Sequence, residues 1–331
     1  MRTQPDTVTV IIAAWKAEHT VGKAVASALI QPNVTRVIVV DDCSPDRTMA
    51  AAEGADDGTG RLIVLRQERN GGPAAARNRA LEHLDTDWWT ILDSDDWMMP
   101  GRIAGMLSFS SDADLVADDL YQIPENDPSP PRDSLLGAGF DTPVPVSLSE
   151  FVLSNVTRRG RERKELGFIK PLIRSRFVRE MGLRYDPAMR LGEDYELYCR
   201  MMAAGGRLLL VPAQGYVAVV RPNSLSGQHS AEDLRRLRDA NDTLAAIPGL
   251  SRRDRAAFTS NYLSVDCRYQ WCRLIEAVKR RDPIGCVRTF VRPYPVPAYL
   301  AARLWEQLVI RTTRRFRSAP APTARSARQR G

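Results

Sequence analysis

VTVIIAAWKAEHTVGKAVASALIQPNVTRVIVVDD (8–42) decides the fold class. Its two β-branched runs, VTVIIAA (8–14) and RVIVVDD (36–42), have the composition of buried strands, and the Ala-rich TVGKAVASAL (20–29) between them has helix length and an amphipathic pattern. Strand, helix, strand is the unit of a parallel sheet with crossover helices. The unit recurs: RLIVLRQ (61–67) and WWTILDS (88–94) read as strands, and RTMAAAEGA (47–55) and PAAARNRALEHL (73–84) as helices, with Pro73 suited to a first helical turn. The expected fold is therefore α/β, a doubly wound, mostly parallel sheet flanked by helices.

Further along, ADLVADDLYQI (113–123) reads as another strand and the Pro-, Gly- and acid-rich ENDPSPPRDSLLGAGFDTPVP (125–145) as a surface loop. A charged patch, RRGRERKE (158–165), precedes a short helix, RSRFVREMG (174–182). In LGEDYELYCRMMAAG (191–205), Glu193 and Asp194 fall at a helix start. From about residue 231 the pattern is helical to the C-terminus, and no internal repeat is present.

At 331 residues and 44% hydrophobic, the chain can bury a substantial core without disulfide or metal staples. Its five cysteines, at 43, 199, 267, 272 and 286, form no Cys-x-x-Cys pair, which argues for a reducing, cytoplasmic setting and against a zinc site. The N-terminal apolar run is short and strand-like rather than a signal peptide, and LLLVPAQGYVAVV (208–220) is too short and too interrupted to span a bilayer. Residues 311–331 hold seven arginines and no acid; without them the chain has 40 basic against 40 acidic residues. A neutral body with a cationic tail is not the profile of a nucleic-acid-binding domain.

In sheets of this class ligands bind beyond the carboxyl ends of the strands. Asp41 and Asp42 end the second strand, Asn70, Gly71 and Gly72 follow the third, and Asp93, Ser94, Asp95 and Asp96 end the fourth. Asp93 and Asp95, two residues apart at a strand end, are expected on one side of it, where they hold a divalent cation or simply cap the next helix. Asp41 and Asp42 accept hydrogen bonds from a base or ribose, or begin a turn. The Asn70–Pro73 turn lets backbone approach a ligand, with Arg77 one turn on to meet a phosphate, or is an ordinary glycine turn. Glu193 and Asp194 favour the positive end of a helix dipole, or supply a general base. His19 and His83 read as surface or packing residues, and His229 follows a Ser/Gly loop able to fold over a diphosphate.

Taken in order, VTVIIAAWKAEHTVGKAVASAL, VVDDCSPDRT, NGGPAAARNRAL, LDSDDWMMP and LGEDYEL resemble the motifs of the family 2 glycosyltransferases of the GT-A fold, over roughly residues 6–230. The resemblance implies a nucleotide-sugar-binding half (1–112), an acceptor-binding half carrying the base (113–230) and a helical C-terminal extension (231–331). It implies Ala13 or Ala14 with Asp42 at the uridine of a UDP-sugar, Asp41 close by, Asp93 on the ribose, Asp95 on Mn²⁺ or Mg²⁺, Asp194 as base and Glu193 in support. His229 matches a C-terminal loop position near the metal. The implied reaction is an inverting, in-line transfer, non-processive because the chain has no Gln-x-x-Arg-Trp motif. Enzymes of this organisation build bacterial exopolysaccharide repeat units on a lipid carrier, which points to a glucosyltransferase of the succinoglycan type acting on a lipid-linked glycan.

The C-terminal VPAYLAARLWEQLVIRTTRRFR (296–317) spaces Leu, Trp and Val helically beside arginines, as an interfacial helix on anionic lipid does; the alternative is a packed helix with a solvated tail. Two other readings are a sugar nucleotidyltransferase, which lacks a Gly-rich basic loop after the first strand here, and a non-catalytic membrane-associated scaffold. A dinucleotide oxidoreductase is excluded by AAWKAEHT in place of a Gly-x-Gly-x-x-Gly turn.

Overall fold

A computed structural model describes residues 6–125, 134–137, 141–156, 166–220 and 229–317. The chain divides into two compact units, residues 1–265 and 266–331.

The first unit begins with β1 (Val8–Ala14), α1 (Val21–Leu29), β2 (Val34–Asp41), α2 (Thr48–Glu53), β3 (Leu62–Arg66), α3 (Pro73–Leu81) and β4 (Trp88–Ile91). β1 lies between β2 and β4, all three parallel, and β2 pairs in parallel with β3. Ala14, Asp41 and Ile91 therefore finish at one edge, as the β-branched runs predict. Val8 to Ile12 are fully buried, the continuous apolar pattern of a strand covered on both faces. Within that run Thr9 is satisfied by the Thr86 hydroxyl at 2.8 Å. Small residues on α1, Ala24 and Ala28 beside Val21 and Val25, pack on this sheet.

The sheet continues with β5 (Trp97–Met98), α4 (Arg102–Leu107), β6 (Leu115–Pro124), β7 (Val144–Val146), α5 (Leu148–Ser154), β8 (Leu172–Arg174), α6 (Arg176–Arg179), α7 (Glu193–Ala203) and β9 (Leu208–Val220). The strand order is β3-β2-β1-β4-β8-β6-β9-β5, with β7 on β9. β8 runs antiparallel to both β4 and β6, while β6 and β9 are parallel. Two sequence expectations need correction here. The loop expected over 125–145 ends in a strand, because Val144–Val146 pairs with Leu208–Leu210. The fourth strand stops at Ile91, and Asp93–Asp96 form a turn closed by Asp96 N–H donating to the Asp93 carbonyl at 3.0 Å. Strand alternation thus does not orient Asp93 and Asp95. The 158–165 patch lies outside the described residues.

α8 (Ala231–Ala245) and the first part of α9 (Arg252–Arg280) complete this unit. The second unit holds the end of α9, α10 (Pro283–Phe290) and α11 (Val296–Arg317), around a small core of Cys267, Leu274, Val296 and Leu300. Among the described residues no helix is long and apolar enough to cross a membrane.

Candidate active site

At the β2 end, Asp42 N–H donates to the Ala14 carbonyl at 2.8 Å, which draws the acid pair against the end of β1. The Asp42 carboxylate is then enclosed: Oδ1 accepts from Gly71 N–H and Gln67 Nε2, both at 2.7 Å, and Oδ2 from Gly72 N–H at 2.8 Å. Burial raises the Asp42 carboxyl above its ordinary value, with the two glycine bonds opposing. The glycine turn therefore spends its amides on Asp42 rather than presenting them to a ligand. Its tightness needs glycine, since a Cβ on Gly71 would come within 2.8 Å of Ala75 Cβ. Asn70 adds a bond to the Asp42 carbonyl at 3.3 Å. Asp41 accepts Ser44 N–H on Oδ1, and its buried Oδ2 has no hydrogen-bond partner. That oxygen lies 3.6 Å from Arg66 Nε, beside Ala14 at the end of β1.

Arg77, expected one turn beyond the glycine turn to meet a phosphate, is buried on α3 and engages carboxylates: it donates through Nη1 to Glu193 Oε1 at 2.8 Å and Asp194 Oδ1 at 2.9 Å, and through Nη2 to Asp93 Oδ1 at 3.1 Å. The neighbouring Asn78 holds the Tyr185 backbone by two 2.9 Å bonds, and the Arg77 guanidinium lies over the Tyr185 ring.

Glu193 and Asp194 open α7, as the sequence predicts, where acids meet the positive end of the helix. Gly192, at φ 73° and with Leu237 2.7 Å from where a Cβ would sit, gives the chain room to enter the helix. α7 is anchored through Tyr195, whose hydroxyl donates to Asn241 Oδ1 at 2.7 Å and accepts from Asn261 Nδ2 at 3.0 Å, while its ring stacks on Phe151. Burial raises the Glu193 carboxyl, with Arg77 opposing. Asp194 is only 6% exposed.

Lys170, which carries no signal in the sequence, bridges the same carboxylates: its ammonium is 3.1 Å from Asp93 Oδ2 and 2.9 Å from Asp194 Oδ2. Burial works against the ammonium, but Asp194 and Asp93 keep it charged well past its ordinary value. Burial likewise pushes Asp93 up, and Lys170 and Arg77 outweigh it and hold the carboxyl below its ordinary range.

Asp96, named in the sequence only as one acid of the cluster, is joined here by Tyr216, which carries no sequence signal. The Tyr216 hydroxyl donates to Asp96 Oδ2 at 2.7 Å and accepts Asp93 N–H at 3.2 Å, and Val219 N–H donates to Asp96 Oδ1 at 2.8 Å. Burial, then the charges of Asp93 and Asp95, push the Asp96 carboxyl up to about 8. Asp93 is thus balanced by Arg77 and Lys170, and Asp96 is held by Tyr216 and Val219 with its carboxyl raised. Asp95 is partly exposed, as is Ser94. Among the described residues no group of three or more His, Cys, Asp or Glu side chains could hold a metal by themselves. The residues fit a Mg²⁺ or Mn²⁺ held by Asp95 together with substrate phosphates and water, not an all-protein cage. His229 immediately precedes Ser230, the N-cap of α8, and residues 221–228, the expected loop, lie outside the described residues.

The model of the Glycosyl transferase family 2 matches residues 9–172, which span the glycine turn, the acidic turn and Lys170. The succinoglycan biosynthesis protein ExoU of Rhizobium meliloti (strain 1021) is 40% identical over 97% of this chain and 92% of its own length. The chain belongs to glycosyltransferase family 2. Its fold is that of the GT-A glycosyltransferases. The crystal structure of S. aureus TarS 1–349 in complex with UDP-GlcNAc superposes with TM-score 0.61 at 15% identity, covering 86% of this chain and 90% of that one. The mannosyltransferase PcManGT from Pyrobaculum calidifontis, in complex with GDP-Man and Mn²⁺, gives TM-score 0.58 at 15% identity over 92% and 88% of the two chains. In this family 2 glycosyltransferase, Asp93 of the acidic turn and Asp194 of α7, 101 residues apart in the chain, are brought onto the same two cations, Arg77 and Lys170.

Proposed function

We propose that this glycosyltransferase moves a glucosyl unit from a UDP-sugar to a hydroxyl of a lipid-linked exopolysaccharide repeat unit, inverting the anomeric carbon and adding one sugar per encounter. The observation that supports the reading is that Arg77 and Lys170 each contact both Asp93 and Asp194, so the carboxylates it assigns to donor and base lie side by side. The overall likeness to a succinoglycan biosynthesis protein supports the pathway, and the TarS complex with UDP-GlcNAc supports a uridine donor.

In this reading Asp41, Ala13 and Ala14 receive the uracil, and Asp42 holds the Asn70–Gly72 turn that walls the nucleotide. Asp93 and Ser94 face the ribose, and Asp95, with His229 as a further candidate, holds Mn²⁺ or Mg²⁺. That cation supplies charge neutralisation for the departing nucleoside diphosphate. Asp194 accepts the proton of the attacking hydroxyl as its oxygen closes on the anomeric carbon from the face opposite the leaving group, a step worth roughly 10²–10⁴ in rate. Glu193 supports Asp194 or meets the acceptor. The setting is the cytoplasmic face of the membrane.

The second unit supports membrane association. Residues 266–331 carry 15 Lys or Arg against four Asp or Glu, so the basic excess spreads well beyond the tail. On α10, Ile284 and Val287 recur with Val291 at helical spacing and are exposed, as are Tyr294 and, on α11, Trp305 at 68%. Exposed apolar positions among cations suit an anionic lipid surface.

The test is calorimetric titration of a nucleotide-sugar panel, UDP-glucose first, with and without Mn²⁺, on wild type and Asp95→Asn. Metal-dependent binding of one donor, lost in the variant, is the expected result; no binding of any donor under any metal condition would refute the reading.

A further inference from the structure

The proposed mechanism leaves Lys170 without a task, yet its ammonium completes a closed ring. Asp93 places Oδ1 on Arg77 Nη2 and Oδ2 on Lys170 Nζ, both at 3.1 Å. Asp194 places Oδ1 on Arg77 Nη1 and Oδ2 on Lys170 Nζ, both at 2.9 Å. Two carboxylates, each held by both of its oxygens, alternate with two cations, and Glu193 sits outside the ring, on Arg77.

A carboxylate turns freely about its last bond when one oxygen is held, because that torsion is broad. Holding both oxygens fixes the plane, and with it the direction of the lone pairs left to receive a proton. Arg77 alone would leave Asp194 that freedom; Lys170 removes it. Lys170 is itself fixed from below: its carbonyl accepts Arg102 Nη2 at 2.7 Å, and the fully buried Arg102 is forked onto Asp118 at 2.7 and 3.1 Å. The ammonium, 7% exposed, is therefore a rigid post rather than a swinging surface lysine. Because it also holds Asp93, a ribose bound by Asp93 and the plane of Asp194 are set by one group.

We infer that Lys170 is a positioning residue of the transfer reaction, fixing the carboxylate plane of Asp194 and coupling it to the seating of the donor at Asp93. The inference rests on Asp194 being the base, and the test separates the two. UDP release from the donor identified by calorimetry, with water as acceptor, is measured for wild type, Lys170→Gln, Lys170→Arg, Asp194→Asn and Lys170→Gln/Asp194→Asn, and donor affinity is measured alongside. Lys170→Gln is expected to lower kcat by about 10²-fold with a much smaller change in donor affinity, since misplacement of a catalytic group is felt in turnover. Lys170→Arg, which keeps the charge, should recover part of that loss. In the Asp194→Asn background the Gln change should cost less than about 3-fold more, because groups acting through one another are not additive.

A loss of equal size in both backgrounds, a loss wholly in donor affinity, or near-normal turnover of Lys170→Gln would overturn the inference. If the Gln variant does not fold, the same cycle is run with Lys170→Arg, and a loss that persists in the Asp194→Asn background has the same meaning. Near-normal turnover of Asp194→Asn alone removes the base and this inference together, whereas an impaired Asp194→Asn beside an active Lys170→Gln removes only the inference.

Discussion

Arg77→Met takes one guanidinium away from three carboxylates, and its cost can be worked from the contacts. Arg77 is buried and makes three charge-assisted hydrogen bonds, to Glu193, Asp194 and Asp93, of which the last two keep Lys170. Removing one member of a buried ion pair strands its partner and costs about 3–5 kcal/mol. For a domain of this size each kcal/mol lowers the melting temperature by about 2–4 °C, so the variant is expected to melt roughly 10 °C below wild type. The cost should depend on pH. Burial already raises Glu193 against the pull of Arg77, so loss of the guanidinium raises it further. A carboxyl whose folded value lies above its unfolded one adds stability below the unfolded value and loses it as pH climbs through the folded one. The deficit should therefore be smaller at about pH 5.5 than at about pH 8. Far-UV circular dichroism melts of both proteins at the two pH values measure it. A shift below about 2 °C, or a deficit equal at both pH values, would refute the view that Arg77 balances a cluster of ionised acids.

Asp194→Asn should bind donor with wild-type affinity and lower turnover by about 10² or more, read by calorimetry and nucleotide release; normal turnover would sink the base assignment. Gly71→Ala forces its new methyl against Ala75 at 2.8 Å, so the turn must move off Asp42; donor affinity should fall while α/β content by circular dichroism holds, and unchanged affinity would show that the turn does not shape the site. Glu at both Val287 and Trp305 should abolish co-sedimentation with vesicles containing anionic phospholipid, without changing donor binding; unchanged sedimentation would remove the membrane face.

Much of the fold was legible because the signal was local. The runs 8–14, 36–42, 61–67 and 88–94 are all strands to within a few residues, and Ala-rich segments between them are helices. The acids of the site were visible for the same reason: each cluster sits where a strand or helix begins or ends. Relations between clusters were not visible. Lys170, in GFIKPLIR, has no periodicity or motif to mark it, since its meaning comes from Asp93 and Asp194, 77 and 24 residues away. Tyr216 sits in an apolar run whose composition says only that it is buried. Arg77 reads in the sequence as a phosphate partner, because a phosphate and a carboxylate attract a guanidinium alike and the carboxylates that α7 brings to it lie 116 and 117 residues on. The period-two placement of Asp93 and Asp95 failed because β4 ends at Ile91, a boundary that the apolar Leu92 hides.

The acidic turn is fastened at both ends by different parts of the sheet. β4 enters it from a pairing with β1, and β5 leaves it to pair with Val217 and Tyr216 of β9, whose tyrosine hydroxyl also grips Asp93 and Asp96. Residues 92–98 and the distal half of β9 are thus one exchangeable part, although more than a hundred positions separate them in the chain. A chimera that imports the acidic turn of a relative without the matching stretch around Tyr216 would inherit the acids but not the frame that spaces them. Recombination boundaries for altering donor choice in this enzyme are better drawn around that pair of segments than around either one.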